Sequence, residues 1–118
     1  MNKELKQKWI DALRSGKYTQ GRGVLRSRTN SFCCLGVLLD ISGKGEWKGD
    51  GDSTYDFVVK DAFFDEEWPH WSTISTELEA AGRRITGLSQ EQESRLIELN
   101  DRVGASFSQI AEWVESHT

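Results

Sequence analysis

The feature that most constrains the fold is the stretch CCLGVLLDIS, residues 33–42, which is apolar nearly all round. A stretch of this kind is stable when it is buried on every side, and the Gly43 that follows it is a typical helix end. It therefore predicts a short buried helix at the centre of the molecule, with a buried strand as the alternative. Because 118 residues have room for one core, we expect a small single domain over residues 1–118.

Helices are also predicted at both ends of the chain. Apolar residues at helical spacing indicate an N-terminal helix from about Lys3 to Ser15. Near the C-terminus, residues 89–92 and 106–109 each match the capping-box pattern Ser-x-x-Gln ahead of an apolar helical pattern. These patterns predict two helices, and the short connection over residues 100–105 favours an antiparallel pair.

A β-hairpin is predicted after the first helix. Gly21 and Gly23 interrupt helical spacing, and residues 24–28 and 31–33 flank Thr29-Asn30 as two strands flank a tight turn. The two glycines also suit backbone amides that approach a phosphate, although GRG lacks the spacing of the known phosphate-binding loops. Together with the predicted helices, the hairpin indicates the α+β fold class.

The middle of the chain gives weaker patterns. Residues 43–54 are rich in Gly and Asp and are predicted to form turns, whereas Tyr55–Val59 have the propensity of a strand. Residues 61–82 contain the single proline and many aromatic residues, so we expect mostly irregular structure there. A short helix is predicted near Thr76 to Ala81.

Basic charge is concentrated in residues 12–39, although the whole chain has a net charge of −4 and is a poor partner for long nucleic acids. Alternation along a strand would place Arg26 and Arg28 on one face of the hairpin, where guanidinium groups can bind phosphate. Tyr18 and Phe32 are near enough in sequence to stack on a base. The alternative is a solvated basic surface that offsets the acidic remainder.

Asn100 and Asp101 form a second candidate pair, because an Asn amide can recognise a base edge and an Asp carboxylate can orient an arginine. The alternative is that both residues simply punctuate the helices. The candidate ligand-binding residues are therefore Tyr18, Gln20, Arg22, Arg26, Arg28, Asn100 and Asp101.

The two cysteines are the adjacent Cys33 and Cys34, which cannot link distant segments through a disulfide. We predict free thiols that pack in the core of a protein from a reducing cytoplasm. The alternative is a small hydrolase that uses one thiol as a nucleophile beside His70 or His117. The sequence supports this hydrolase hypothesis least, and we expect no enzyme activity.

The sequence matches no pattern typical of a metal site, a membrane span or a signal peptide. The cysteines and histidines lack zinc-ligand spacing, and the loop with Asp50, Asp52 and Asp56 lacks the Glu of an EF-hand. We therefore expect no metal and no cofactor. The first residues do not match a signal peptide and no apolar run approaches the length of a membrane span, so a cytoplasmic protein without a membrane partner is predicted.

Three segments carry a family resemblance: KYTQGRGVLR at 17–26, FCCLGVLLD at 32–40 and LNDRVGASFSQIAEWVE at 99–115. Together they resemble a widespread family of small tailed-phage proteins, most of which have no assigned function. The resemblance covers roughly residues 1–42 and the last 30 residues, whereas residues 43–88 match no pattern of the family.

The resemblance implies a role in evading bacterial immunity. Small phage proteins of this kind that have an assigned role are often inhibitors of bacterial immunity, including sponges that sequester the cyclic nucleotide signals of CBASS-type defence. The expected function is thus a phage-encoded anti-defence protein that binds such a signal in the host cytoplasm without cleaving it. A homo-oligomer is expected, because a ligand with internal twofold character suits paired sites. An inhibitor that binds a host protein directly is the alternative.

Overall fold

The computed structural model describes residues 1–49, 54–61, 70–74 and 78–118. Helices and a mixed sheet share one buried core, which confirms the predicted α+β class. The helices are α1 (Lys3–Arg14), α2 (Cys34–Ser42), α3 (Glu79–Thr86), α4 (Gln90–Ile97) and α5 (Phe107–His117), with a π-helix over Glu98–Val103. The strands are β1 (Thr19–Gln20), β2 (Arg26–Ser27), β3 (Ser31–Phe32), β4 (Glu46–Gly49), β5 (Thr54–Asp61) and β6 (His70–Ile74). Within the described ranges, no helix has the length and apolar character needed to span a membrane.

The N-terminal helix α1 is confirmed, and it joins the two ends of the chain. The Asn2 side chain caps the start of the helix by accepting hydrogen bonds from the backbone N–H groups of Glu4 and Leu5. The apolar face of α1 packs against α2 and α5. The indole N–H of the buried Trp9 donates to the carbonyl oxygen of Cys34 at 2.9 Å, so this large core side chain has its polar atom paired.

The apolar stretch forms the buried helix α2, so the alternative of a buried strand is wrong. Residues 34–39 are all buried, and Gly43 ends the helix in a left-handed conformation with φ of 65°. A Cβ atom on Gly36 would overlap the carbonyl group of Leu25. Helix α2 therefore packs directly against the backbone that leads into β2, and only glycine allows this approach.

The predicted β-hairpin is confirmed, but it is shorter than expected. Strands β2 and β3 pair antiparallel around a turn in which Asn30 has a φ of 63°. Strand β2 ends at Ser27, whose hydroxyl accepts a hydrogen bond from the backbone N–H of Ser31 at 3.1 Å and helps to close the turn. Arg28 therefore lies in the turn, and the predicted alternation that placed it beside Arg26 on one strand face is wrong.

Strand β5 is the central element of the sheet. The strands follow the order β1-β3-β2-β5-β4, and β6 also pairs with β5. Only β1 and β3 pair in parallel; the other described pairs are antiparallel. One face of the sheet packs in the core through three buried side chains: Phe57 and Val59 of β5 and Ile74 of β6.

The middle of the chain contains more strand than the sequence predicted. Strand β5 includes the predicted strand Tyr55–Val59, but β4 lies within residues 43–54, where turns were expected. Strand β6 lies within residues 61–82, which were predicted to be mostly irregular. The predicted helix at 76–81 falls partly outside the described residues, and α3 begins at Glu79. Pairing with β5 satisfies the backbone of β4 and β6 and outweighs their weak local propensity.

Both predicted C-terminal helices are confirmed together with their capping boxes, Ser89 with Gln92 and Ser106 with Gln109. The Gln92 side chain donates to the carbonyl oxygen of His117 at 2.8 Å, which places the start of α4 beside the end of α5 as in the predicted antiparallel pair. The connection differs from the prediction. A π-helix continues α4 where a loop was expected, and π-helices are frequently found at functional sites.

Candidate functional site

A row of side chains crosses the sheet on one face. The strand register pairs Gln20 with Phe32, and it pairs Phe32 with Arg26. It also pairs Arg26 with Tyr55. Directly paired residues are cross-strand neighbours on the same face, so two of the predicted ligand-binding residues share this face with two aromatic rings.

Arg26 is surrounded by aromatic rings. Its guanidinium carbon lies 4.3 Å from the ring centroid of Tyr55, 5.2 Å from that of Phe32 and 5.6 Å from that of Trp47. Its Nε and Nη2 atoms donate to Asn30 Oδ1 at 3.2 and 2.8 Å. Cation–π attraction and these hydrogen bonds together hold a positive charge at a fixed place on a partly exposed aromatic surface.

The carboxylate of Asp40, on α2, accepts hydrogen bonds from two aromatic side chains. The Tyr18 hydroxyl donates to Oδ2 at 2.5 Å, and Trp47 Nε1 donates to Oδ1 at 2.9 Å. Partial burial, and then the hydrogen bond to Asp40, raise the pKa of Tyr18, so the hydroxyl stays protonated and remains a donor. We name this site the arginine-aromatic cluster; its members are Tyr18, Arg26, Phe32, Asp40, Trp47 and Tyr55.

Asn100 is fully buried at the centre of a hydrogen-bond network between the loop after β1 and the π-helix. Its Oδ1 accepts from Gln20 Nε2 at 3.0 Å and from the backbone N–H of Cys34 at 3.3 Å. Its Nδ2 donates to the Gly21 carbonyl oxygen at 2.9 Å and to Asp101 Oδ1 at 2.8 Å. All four hydrogen-bonding positions of the amide are therefore used within the protein.

Arg22 and Asp101 complete the same network. Arg22 Nε donates to the carbonyl oxygen of Asn100 at 3.1 Å, and Asp101 Oδ1 accepts from the backbone N–H of Gly23 at 3.1 Å. The N–H of Gly21 donates to the carbonyl oxygen of Phe32 at 2.8 Å, so the amides of both glycines are hydrogen-bonded within the protein. We name this site the Asn100 junction; its members are Gln20, Gly21, Arg22, Gly23, Asn100 and Asp101.

The seven predicted binding residues thus lie in three places. Tyr18 and Arg26 belong to the arginine-aromatic cluster, and Arg28 lies in the hairpin turn. The others belong to the Asn100 junction: Gln20, Arg22, Asn100 and Asp101. The structure gives Asn100 a role that neither hypothesis included, because its buried amide makes four hydrogen bonds within the protein. It links distant segments of the chain.

Three members of the cluster, Asp40, Trp47 and Tyr55, were not among the binding residues predicted from the sequence. A signal existed for two of them: Asp40 interrupts the apolar stretch of α2, and Trp47 is the one aromatic residue in a segment otherwise rich in Gly and Asp. Tyr55 was assigned to a strand, but its partner Arg26 is known only from the sheet register.

Both cysteines are free and buried, as predicted for packing groups. The Cys33 sulfur accepts a hydrogen bond from the backbone N–H of Gly36 at 3.4 Å and caps the start of α2. Burial raises the pKa of the Cys33 thiol to about 11 and that of Cys34 well above its ordinary value. A protonated, buried thiol is a poor nucleophile, which argues against the cysteine hydrolase.

Native protein is expected to react slowly with iodoacetamide. A rise in the pKa of Cys33 from 9.0 to about 11 lowers its thiolate fraction at neutral pH about a hundredfold. Mass spectrometry of timed samples with and without guanidinium chloride measures the two labelling rates. Labelling of the folded protein as fast as that of the unfolded chain would contradict the packing role.

No group of three or more His, Cys, Asp or Glu side chains that could hold a metal ion occurs in the described ranges. Asp50 and Asp52, which were considered for calcium, lie outside those ranges. The ring of His117 stacks on Trp113 with centroids 4.5 Å apart, and its Nδ1 lies 2.9 Å from the Trp113 carbonyl oxygen. The His117 side chain therefore packs against its own helix, on the surface of α5.

Comparisons with known proteins identify the family of the chain. Comparison with curated proteins gives no match, and comparison with solved structures gives none either. A family model described as a domain of unknown function, DUF8296, matches residues 1–118. The chain therefore belongs to the DUF8296 family.

Proposed function

We propose that this protein is a phage-encoded anti-defence protein that binds a cyclic nucleotide immune signal and sequesters it without cleavage. The observation that carries the proposal is the arginine-aromatic cluster, in which three rings and an amide hold Arg26. The phage origin and the class of signal come from the resemblance noted in the sequence. The proposed setting is the host bacterial cytoplasm, with neither long nucleic acid nor membrane as a partner.

The cluster combines the two kinds of contact that a nucleotide needs. A guanidinium has five N–H donors and binds phosphate oxygens in forked pairs. Two donors of Arg26 reach Asn30, and the described residues provide no other hydrogen-bond partner for this side chain. Tyr18, Trp47 and Tyr55 are partly exposed, so a base can stack on their rings.

Sequestration without cleavage is proposed because the two thiols that the chain offers as nucleophiles, Cys33 and Cys34, are buried and protonated. Phosphodiester cleavage needs an organised nucleophile together with stabilisation of the developing charge. A homo-oligomer remains part of the proposal, since a cyclic dinucleotide with twofold character suits two copies of one site.

Arg26→Ala is expected to weaken nucleotide binding by roughly ten- to a hundredfold, because one charge-assisted bond to phosphate contributes about 1.5 to 3 kcal/mol. Arg26→Lys is expected to restore part of the affinity, since it keeps the charge and loses the planar fork. Isothermal titration calorimetry with a panel of cyclic di- and trinucleotides measures the affinities. Thermal unfolding of each variant shows that the fold is retained.

Arg95→Ala is the matched control. Arg95 is an exposed arginine on α4 that pairs with Glu98 at 3.2 Å, so its loss removes the same charge away from the cluster. Unchanged affinity of Arg26→Ala would show that the cluster is not the binding site. A wild-type protein that binds no nucleotide of the panel would overturn the proposal and favour a direct inhibitor of a host protein.

A further inference from the structure

Asp40 is an exposed carboxylate whose orientation is fixed by neutral groups. Tyr18 donates to one of its oxygens and Trp47 to the other, and both donors are aromatic side chains of the cluster. A carboxylate offers about four acceptor positions, of which these two bonds use one on each oxygen. Each oxygen therefore keeps acceptor capacity on a surface that solvent and ligands can reach.

Trp47 contacts charges of opposite sign, a carboxylate at its indole N–H and a guanidinium over its ring. Its indole N–H is 2.9 Å from Asp40 Oδ1, while the guanidinium carbon of Arg26 is 5.6 Å from its ring centroid. A phosphate is attracted by Arg26 and repelled by Asp40. The parts of a nucleotide that suit Asp40 are therefore neutral groups that donate hydrogen bonds, namely a base edge or a ribose hydroxyl. Each ribose of a cyclic dinucleotide has a single free hydroxyl, so two adjacent donors that match both oxygens of one carboxylate are found on a base edge.

We infer that Asp40 recognises the Watson–Crick edge of guanine, so that the ligand is a guanine nucleotide; this inference rests on the proposed function. Guanine presents two neighbouring donors, N1–H and the N2 amino group, which match the two oxygens of a carboxylate. Adenine presents one donor beside an acceptor on the same edge, and its N1 lone pair would face a carboxylate oxygen. Arg26 binds the phosphate of the same nucleotide, and the ring of Trp47, which contacts both Asp40 and Arg26, supports the base.

Asp40→Asn tests the recognition directly. The amide can still accept from Trp47 and can donate to the Tyr18 hydroxyl, so both contacts survive while one acceptor becomes a donor. Wild-type protein is expected to bind cyclic di-GMP more tightly than cyclic di-AMP. In Asp40→Asn the affinity for cyclic di-GMP is expected to fall roughly ten- to a hundredfold, whereas that for cyclic di-AMP is expected to stay the same or rise, because the new amide N–H can donate to adenine N1.

Glu46→Gln is the matched control, because it makes the same change of charge on the strand that carries Trp47. Glu46 precedes Trp47 in β4, so its side chain points to the opposite face of the sheet.

Calorimetry measures the affinity of wild type, Asp40→Asn and Glu46→Gln for both dinucleotides, and its outcomes distinguish the guanine inference from the proposed function. Equal affinity of wild type for the two ligands, or an unchanged ratio in Asp40→Asn, overturns the guanine inference and leaves the proposed function standing. Binding of neither dinucleotide, nor of any other cyclic nucleotide, overturns both.

Discussion

Replacing Asn100 by Ala is expected to lower the free energy of unfolding by about 3 kcal/mol or more. The side chain is fully buried and fixes four partners. Its removal takes the partner from the backbone N–H of Cys34 and from the carbonyl of Gly21, and each buried unpaired group costs about 1 to 3 kcal/mol. Urea denaturation followed by circular dichroism measures the change.

A second variant separates the hydrogen bonds of this amide from its volume, and a variant of a neighbouring exposed residue is the control. Asn100→Asp keeps the shape but turns a carboxylate toward Asp101 and the Gly21 carbonyl, so it is expected to destabilise at least as much as Ala. Glu98→Ala, on the same π-helix, removes an exposed ion pair and is expected to cost less than about 1 kcal/mol. Equal losses for Asn100→Ala and Glu98→Ala would contradict the central role of the buried amide.

Gly36→Ala is expected to destabilise the protein by about 3 kcal/mol, although Ala favours a helix over Gly by about 1 kcal/mol. The added Cβ would overlap the carbonyl group of Leu25, which also accepts a hydrogen bond from the backbone N–H of Cys33 at 3.2 Å. Helix α2 would have to move away from the strand region, and the fully buried side chains on it would lose their packing. Thermal unfolding measures the loss.

Helix propensity alone would make Gly36→Ala stabilising, so a loss of stability would be evidence for the close contact between α2 and Leu25. Ser94→Ala changes a small residue to Ala on the exposed face of α4 and is expected to alter stability by no more than about 0.5 kcal/mol. If Gly36→Ala behaved like Ser94→Ala, the close contact between α2 and Leu25 would not exist in solution.

The helix ends were predictable because their determinants are local. In each capping box the serine and the glutamine are three residues apart, so the short pattern contains the whole interaction. The C-terminal end of α2 was equally clear, since Gly43 follows the apolar stretch directly. Strands β4 and β6 were not predictable in this way, because what stabilises them is a register with β5 that their own residues do not encode.

The candidate site was only half predictable for the same reason. Arg26 and Tyr18 were identified from charge and aromatic character, but the rings and the carboxylate around them come from other strands and from α2. The burial of Asn100 had a local signal that was not used. Asn100 follows the apolar Leu96 by four residues and both are buried, so this helical spacing indicated a polar side chain paired within the core.

The Asn100 junction also determines the order in which the protein can fold during its synthesis. It joins residues 20–23 to residues 100–101, and α1 packs on α5 at the same two ends of the chain. The ribosome releases the N-terminal segments first, so their backbone groups stay hydrated until the last helices emerge. Contacts between such distant segments form slowly because a long loop must close. The native core is therefore completed only after residues 100–117 have left the ribosome.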